Sequence, residues 1–224
     1  MHQNMGLYHY LLNKAKQLTD DWYNSIDKST AAGVYASTDE TVIARLKAQN
    51  YSFHEHLIQV FIEEDEAFFQ SFEEWVNEIA SDLGHQSTQT HVILHEFLNV
   101  QNQYLCMLDA YAKENDGKYS NSEVNSWTRI IIKAFGKIMT RFVEVHDLFA
   151  SKRLRSQQEL INELSAPVIK LQHDKGLLPI VGEIDLQRAK YILENTLSEC
   201  SKQNITYLFI DLSGVNFIDT IVAM

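Results

Sequence analysis

The sequence predicts a mainly helical N-terminal part followed by a short α/β segment, and three observations carry that reading. The first 166 residues contain no proline, whereas Pro167 and Pro179 follow directly; long helices are free to form where the residue that removes a backbone donor is missing. From Val124 to Phe149 apolar residues recur every three or four positions, the spacing of one helix face. After Ala166 that period gives way to short apolar runs separated by turn residues. The boundary falls near Ser165.

The elements follow in order. Met5, Tyr8, Leu11, Leu12, Ala15, Leu18, Trp22 and Ile26 lay one apolar stripe along a first helix. The polar stretch Asp27 to Ala36 interrupts it, and Ser37 with Glu40 has the spacing of a capping box that starts a second helix, carried on by Val42, Ile43, Leu46, Leu57, Ile58, Phe61 and Ile62. Phe68, Phe69, Phe72, Trp75, Val76, Ile79 and Leu83 form a third stripe, with Gly84 as its left-handed cap. A fourth runs from Val92 to Leu108 and closes towards Gly117. Ser120 and Glu123 form another capping box, which opens the longest pattern: Val124, Trp127, Ile131, Phe135, Ile138, Phe142, Val145 and Phe149. Beyond Phe149 the stripe dissolves into Ser151 to Glu159 and resumes at Leu160, Ile161 and Leu164. This reads either as a helix that leaves its domain as a solvated connector or dimer seam, or as an exposed turn within the same domain.

From Ala166, Val168 to Leu171 and Leu177 to Val181 flank Asp174-Lys175-Gly176, a turn-like sequence that predicts a hairpin. Residues 186 to 202 predict a helix with Ala189, Ile192, Leu193, Thr196, Leu197 and Cys200 on one side. Ile205 to Leu212 is a near-continuous apolar run of the kind found in strands buried on both faces. A tight turn after that strand and a helix start at Thr220 complete an α/β unit.

Composition narrows the function. A net charge of −11 argues against a nucleic-acid surface and against adsorption to acidic lipid head groups. No run approaches the length of a membrane span, and Met1 to Lys16 lacks the apolar core of a signal peptide, so the expectation is a cytosolic protein. The two cysteines, Cys106 and Cys200, sit inside apolar helical patterns and are expected as buried free thiols rather than a disulfide.

The segment Glu163-Leu164-Ser165-Ala166-Pro167-Val168-Ile169, the stretch from Leu178 to Ala189, and Ile210-Asp211-Leu212-Ser213-Gly214-Val215 with Ile218-Asp219-Thr220-Ile221-Val222-Ala223 together resemble the C-terminal STAS domain of the RsbR family of stressosome proteins. The helical part resembles the family's sensor region by architecture, a globin-like fold that binds no haem. The resemblance implies three parts: a globin-like, dimeric helical sensor over residues 1–148, a helical linker over 149–165, and the N-terminal part of a STAS domain over 166–224. A full STAS domain continues through a second helix, a further strand and a final helix, so the domain is expected to be truncated here. It further implies a scaffold and sensor without enzymatic activity or cofactor. Its partners would be other RsbR paralogues, a smaller RsbS-like STAS protein and an RsbT-like serine/threonine kinase, which phosphorylates STAS residues before leaving to activate a downstream phosphatase in control of the general stress sigma factor.

Two phosphoacceptor positions are typical of that family. In Ile184-Asp185-Leu186-Gln187-Arg188-Ala189-Lys190 the family pattern carries threonine where this chain has Leu186, and leucine has no hydroxyl to accept phosphate. The second position, Thr220 beside Asp219, is intact. A hydroxyl at a helix start lies near unpaired N–H groups and the positive end of the helix dipole, which suits a phosphate; the same two residue types also serve as plain N-caps.

Other patterns invite sharper readings. His91 and His95 stand four apart with Glu96 following, and His54-Glu55-His56 lies on another helix, but neither HExxH nor CxxC occurs and no metal site is expected. Haem needs an axial ligand such as His91, His95 or His146 in an apolar pocket; a haem-binding or small-molecule-binding globin-like sensor with a vestigial STAS segment is the alternative function. Phe68, Phe69, Phe72 and Trp75 are expected as core, with a ligand pocket as the second reading. No phosphate loop, nucleophile elbow or Ser-His-Asp signature is present.

Overall fold

Six helices and two short 3-10 turns carry the N-terminal stripes in the computed structural model of the chain, which describes residues 4–165 and 167–218 and their side chains except those of 162–165, 217 and 218. Helix α1 spans Met5–Ser25, and the Asn4 side chain accepts from the Leu7 amide at 2.9 Å, satisfying one of the orphan donors of its first turn. Leu7, Leu11, Ala15, Leu18 and Trp22 are buried along it as the stripe predicts. Helix α2 spans Glu40–Leu57 and ends in a 3-10 turn at Ile58–Phe61. Its cap is Asp39, whose Oδ1 takes the Thr41 amide at 2.8 Å, rather than the expected Ser37. Ser37 instead supports Asp39 one step earlier, its hydroxyl accepting from the Asp39 amide.

Helix α3 (Asp65–Ser81) is followed at once by the single turn α4 (Leu83–Gln86). Gly84 is not the left-handed cap that its position suggested. Asp82 ends α3 in extended conformation and caps α4, with its Oδ1 accepting from the Gly84 amide at 2.9 Å. An acidic side chain that starts a new helix here overrides the glycine's stop signal. Helix α5 spans Thr90–Glu114, and the chain turns through Gly117, which has a positive φ of 74°. The expected capping box then forms: the Ser120 amide donates to Glu123 Oε2 at 2.8 Å and the Glu123 amide to Ser120 Oγ at 3.3 Å.

That box opens α6, which runs unbroken from Asn121 to Ser165. Trp127, Ile131, Phe135, Ile138, Phe142 and Val145 are buried at its stripe, while Leu154, Leu160 and Ile161 are exposed. The chain divides into two compact units, residues 1–150 and 151–224. The first owns a continuous core from α1 to α6 in which Phe53 meets the rings of Phe72, Trp75, Phe97 and Phe135 at centroid distances of 5.1 to 5.8 Å, the tilted and edge-on geometries that aromatic quadrupoles favour.

The second unit holds the α/β segment: β1 (Ile169–Lys170), β2 (Lys175–Ile184), α7 (Leu186–Gln203) and β3 (Tyr207–Ile218) in a sheet ordered β1-β2-β3. Strands β1 and β2 form the predicted hairpin, antiparallel with Ile169 opposite Leu177. Its turn falls at Gln172 to Asp174, with His173 at φ 51°, rather than at Asp174-Lys175-Gly176. Strands β2 and β3 are parallel and joined through α7, the crossover that parallel pairing requires.

Three further expectations are corrected. Strand β3 does not stop at Leu212; it continues to Ile218, and Gly214 sits within it beside an irregularity in the β2–β3 register. A Cβ at Gly214 would lie 3.0 Å from Val181 Cγ2 and 3.1 Å from the Ile180 carbonyl oxygen, so the glycine serves a close approach of two strands and not a reversal. Nor is β3 covered on both faces among the described residues, since Tyr207, Phe209, Ile210 and Leu212 are exposed. Cys106 and Cys200 are free, but Cys106 is exposed and Cys200 half-buried.

Candidate functional site at the ends of the parallel strands

The parallel register sets the end of β2 beside the end of β3. Ile184 pairs with Ile218, the last residues of β2 and β3. Each isoleucine is followed by aspartate and then by the position in question: Ile184-Asp185-Leu186 and Ile218-Asp219-Thr220. The isoleucines that open the two triplets thus end neighbouring parallel strands at the carboxyl edge, where open α/β sheets place their functional residues. Asp219 and Thr220 themselves lie outside the described residues. The repeat is legible in the sequence; the side-by-side placement of Ile184 and Ile218 needs the parallel pairing.

The first triplet is fully described. Asp185 caps α7, its Oδ1 accepting from the Arg188 amide at 2.7 Å. Leu186 is the first helical residue and is 60% exposed, so its side chain contributes nothing to the core. Arg188 folds back over the strand end: Nη2 donates to the Val181 carbonyl at 2.6 Å and Nη1 to that of Glu183. Gly182 between them has φ 91° and would bring a Cβ to 3.3 Å from Arg188 Nη1. A positive φ and a guanidinium at close range together explain glycine at this position. The Arg188 clamp fixes the approach to the helix start and places a cation beside it, a combination that suits an anionic group. Sequence reasoning missed this role of Arg188, and no spacing rule signals it.

Further along β3, Asp211 accepts from the Ser213 amide at 2.9 Å, and its bonds to Ser213 hold its carboxyl below the usual carboxylate range.

The helical unit places the histidines differently from a metal site. His91 and His95 are exposed beside the buried Glu96, and no group of three or more potential ligands comes together among the described residues. His54 is buried with Nδ1 3.0 Å from the Tyr104 hydroxyl, and burial lowers its pKa to about 3. His146 is buried too, with Nε2 3.2 Å from the His85 carbonyl oxygen, and its ring stacks on Phe142. Of the aromatic stripe, Phe68 and Phe72 are core, whereas Trp75 also lines a central cavity with about 50 Å³ open to the centre of a water-sized molecule.

The STAS domain family pattern matches residues 166–224. The chain is 39% identical over 223 residues to the RsbT co-antagonist protein RsbRC of Bacillus subtilis (strain 168), a match that covers 100% of this chain and 79% of that protein. It is 36% identical to RsbT co-antagonist protein RsbRB of the same organism, over 100% and 80% of the two chains, and 30% identical to RsbT co-antagonist protein RsbRD, over 98% and 78%. These matches run through the helical unit as well as the α/β segment. No helix among the described residues is long and apolar enough to cross a membrane.

Proposed function

Because the chain belongs to the RsbR family of RsbT co-antagonist proteins, we propose that it works as a scaffold and sensor of the stressosome, in the pathway that controls the general stress sigma factor. The helical unit, residues 1–148, is the globin-like, dimeric sensor; residues 149–165 link it to the STAS segment that begins at 166. Its partners are an RsbT-like kinase, an RsbS-like STAS protein and other RsbR paralogues, all in the cytoplasm.

The observation that carries this reading is the match along the whole chain, which joins a helical sensor to a STAS segment in the family's order. The described part of α6 supports the linker. Its residues from Ser151 to Ile161 are all exposed, yet the helix continues through them. A rigid rod of about 1.5 Å per residue is a suitable connector between a sensing and a responding domain.

Thr220 is the phosphoacceptor in this reading. Its Oγ1 attacks the γ-phosphorus of ATP held by the kinase, the bond to ADP breaks, and the hydroxyl proton leaves to base or solvent. The product carries about −1.5 to −2 charges where a neutral hydroxyl stood. A protein surface that packed against the uncharged hydroxyl then meets a phosphate, and the contact weakens. Leu186, at the neighbouring position, has no oxygen and stays silent, so the chain responds once where relatives with threonine there would respond twice.

The test uses the full chain, the cognate switch kinase and ATP, with phosphate mapped by mass spectrometry. We expect label on Thr220, its loss in Thr220→Ala, and a second labelled position in Leu186→Thr. Label on other residues with Thr220 clean overturns the assignment.

A further inference from the structure

The end of α1, the loop that follows it and α5 enclose a groove of about 730 Å³. Three carboxylates line it, Asp21, Asp27 and Glu96, and neither lysine nor arginine does. Asp21 and Asp27 are exposed to water, but Glu96 is only 7% exposed. Both hydrogen bonds to Glu96 come from neutral donors and fall on Oε2, from Trp22 Nε1 at 2.9 Å and Asn99 Nδ2 at 3.3 Å. Its other oxygen, Oε1, accepts none and stays open to solvent. Asn99 lines the groove whereas Trp22 lines the central cavity, so the carboxylate stands in the wall between the two spaces. Tyr35 belongs to the same wall and is 5% exposed; its hydroxyl is also open and unbonded, and its pKa is raised by burial and then by the Glu96 charge. A buried charge is ordinarily paired with an opposite charge or a metal. Among the described residues Glu96 has neither.

We propose that this groove binds an aliphatic diamine or polyamine, with one ammonium on Glu96 Oε1 and a second on the exposed carboxylate of Asp21. Charge selects the class. Three carboxylates without a lysine or arginine repel an anion and leave a neutral ligand no advantage, while an ammonium gives Glu96 the charge-assisted hydrogen bond that its neutral donors do not supply. A bare metal ion is the poorer occupant, since no three potential ligands come together among the described residues. An organic cation needs no such convergence. Asp27 is already engaged by Ser29 and Thr30, whereas Asp21 has no partner among the described residues, which makes Asp21 the second anchor. The methylenes between the two charges have Ile26, Ala31 and Val92 to lie against. A net charge of −11 raises the local concentration of any cation. Binding here requires neither Thr220 nor a protein partner.

The Trp22 indole N–H is the reporter, because its acceptor is the Glu96 carboxylate itself. Uniformly 15N-labelled full chain is titrated with 1,4-diaminobutane in about 150 mM salt, which screens diffuse attraction to an acidic surface. Separate titrations use 1-aminobutane, 1-butanol and magnesium chloride. We expect the Trp22 indole signal to shift saturably with the diamine, about tenfold weaker affinity for the monoamine, and no shift with butanol or magnesium. Trp127 packs against Tyr111 and Tyr119 and should not move. Glu96→Gln keeps an oxygen for Trp22 but removes the charge, and should weaken the diamine at least about tenfold by calorimetry. Asp21→Asn, at an exposed position, should bring the diamine down to the affinity of the monoamine, and it answers the question even if Glu96→Gln fails to fold. No saturable shift of Trp22, an equal response to magnesium, parallel movement of Trp22 and Trp127, or undiminished affinity in either folded variant overturns the proposal.

Discussion

The two units solve the same problem, covering apolar surface, with very different success within the described residues. In the helical unit one continuous core runs through α1 to α6, and Phe53, Phe68, Phe72, Phe135 and Phe142 are all within 3% of complete burial. In the second unit the fully buried apolar residues are Leu178, Ile180, Ile184 and Ile192, while four large side chains of β3 stay exposed. A helix bundle buries its stripes by packing them on each other, but a sheet needs cover on both faces. The helical unit thus covers its apolar stripes with its own elements, whereas β3 keeps large side chains exposed among the described residues.

The largest expected break in that contrast is Phe53→Ala. The ring touches four aromatic neighbours from three other helices, and truncation should cost about 3–5 kcal/mol by loss of burial plus the cavity left behind. Urea denaturation followed by near-ultraviolet circular dichroism would report it. A cost below about 1 kcal/mol would mean that the bundle's centre collapses to fill the space and is less rigidly packed than its ring geometry implies.

A second prediction concerns acid. His54 is fully buried and neutral, with its pKa lowered by burial from 6.5 to about 3. Above pH 6.5 the histidine is neutral in both states and costs nothing. As pH falls through 6.5 the unfolded chain takes up a proton that the folded chain refuses until about pH 3, so stability is lost across that window, by about 2 kcal/mol at pH 5. His85 acts in the same direction, because burial lowers its pKa against the opposing pull of Asp82. Stability measured by urea titration at pH 7.5 and pH 5 should show the difference, and His54→Gln should reduce it. An unchanged slope in that variant would assign the acid sensitivity elsewhere.

Much of this contrast was legible in the sequence. The stripe from Val124 to Phe149 and the capping box at Ser120 and Glu123 are local patterns, and both appear where spacing puts them. Competition between neighbouring signals was less legible. Asp39 outcompetes Ser37, and Asp82 restarts a helix where Gly84 alone predicts a stop. At the candidate site the triplets Ile184-Asp185-Leu186 and Ile218-Asp219-Thr220 could be read directly, but the adjacency of Ile184 and Ile218 depends on a long-range register. The Arg188 clamp and the bond from Trp22 to the buried Glu96 were not legible at all, since they arise from tertiary contact between elements with no fixed spacing.

The capping box offers a smaller, local test of the same contrast. Ser120→Ala removes the acceptor for the Glu123 amide and the hydroxyl that donates to Glu123 Oε2 at 2.8 Å. The expected cost is about 1 kcal/mol, visible as a lower urea midpoint with unchanged steepness. A loss several times larger would show that the start of α6 governs more of the helical unit than its first turn.

The smallest effect should come from Leu193 in α7, where two adjacent residues divide the helix. Ile192 is 8% exposed and faces the small core with Leu178 and Ile180, whereas Leu193 is 60% exposed. Both belong to the apolar side that the sequence suggests, but only one touches the sheet. Ile192→Ala should cost about 2 kcal/mol or more. Leu193→Ala should change stability by less than about 0.5 kcal/mol, since alanine is the better helix former and little burial is lost. If Leu193→Ala instead matches Ile192→Ala, the exposed face of α7 is covered by protein in solution. The contrast between the two units would then describe a surface that is occupied when the protein is at work.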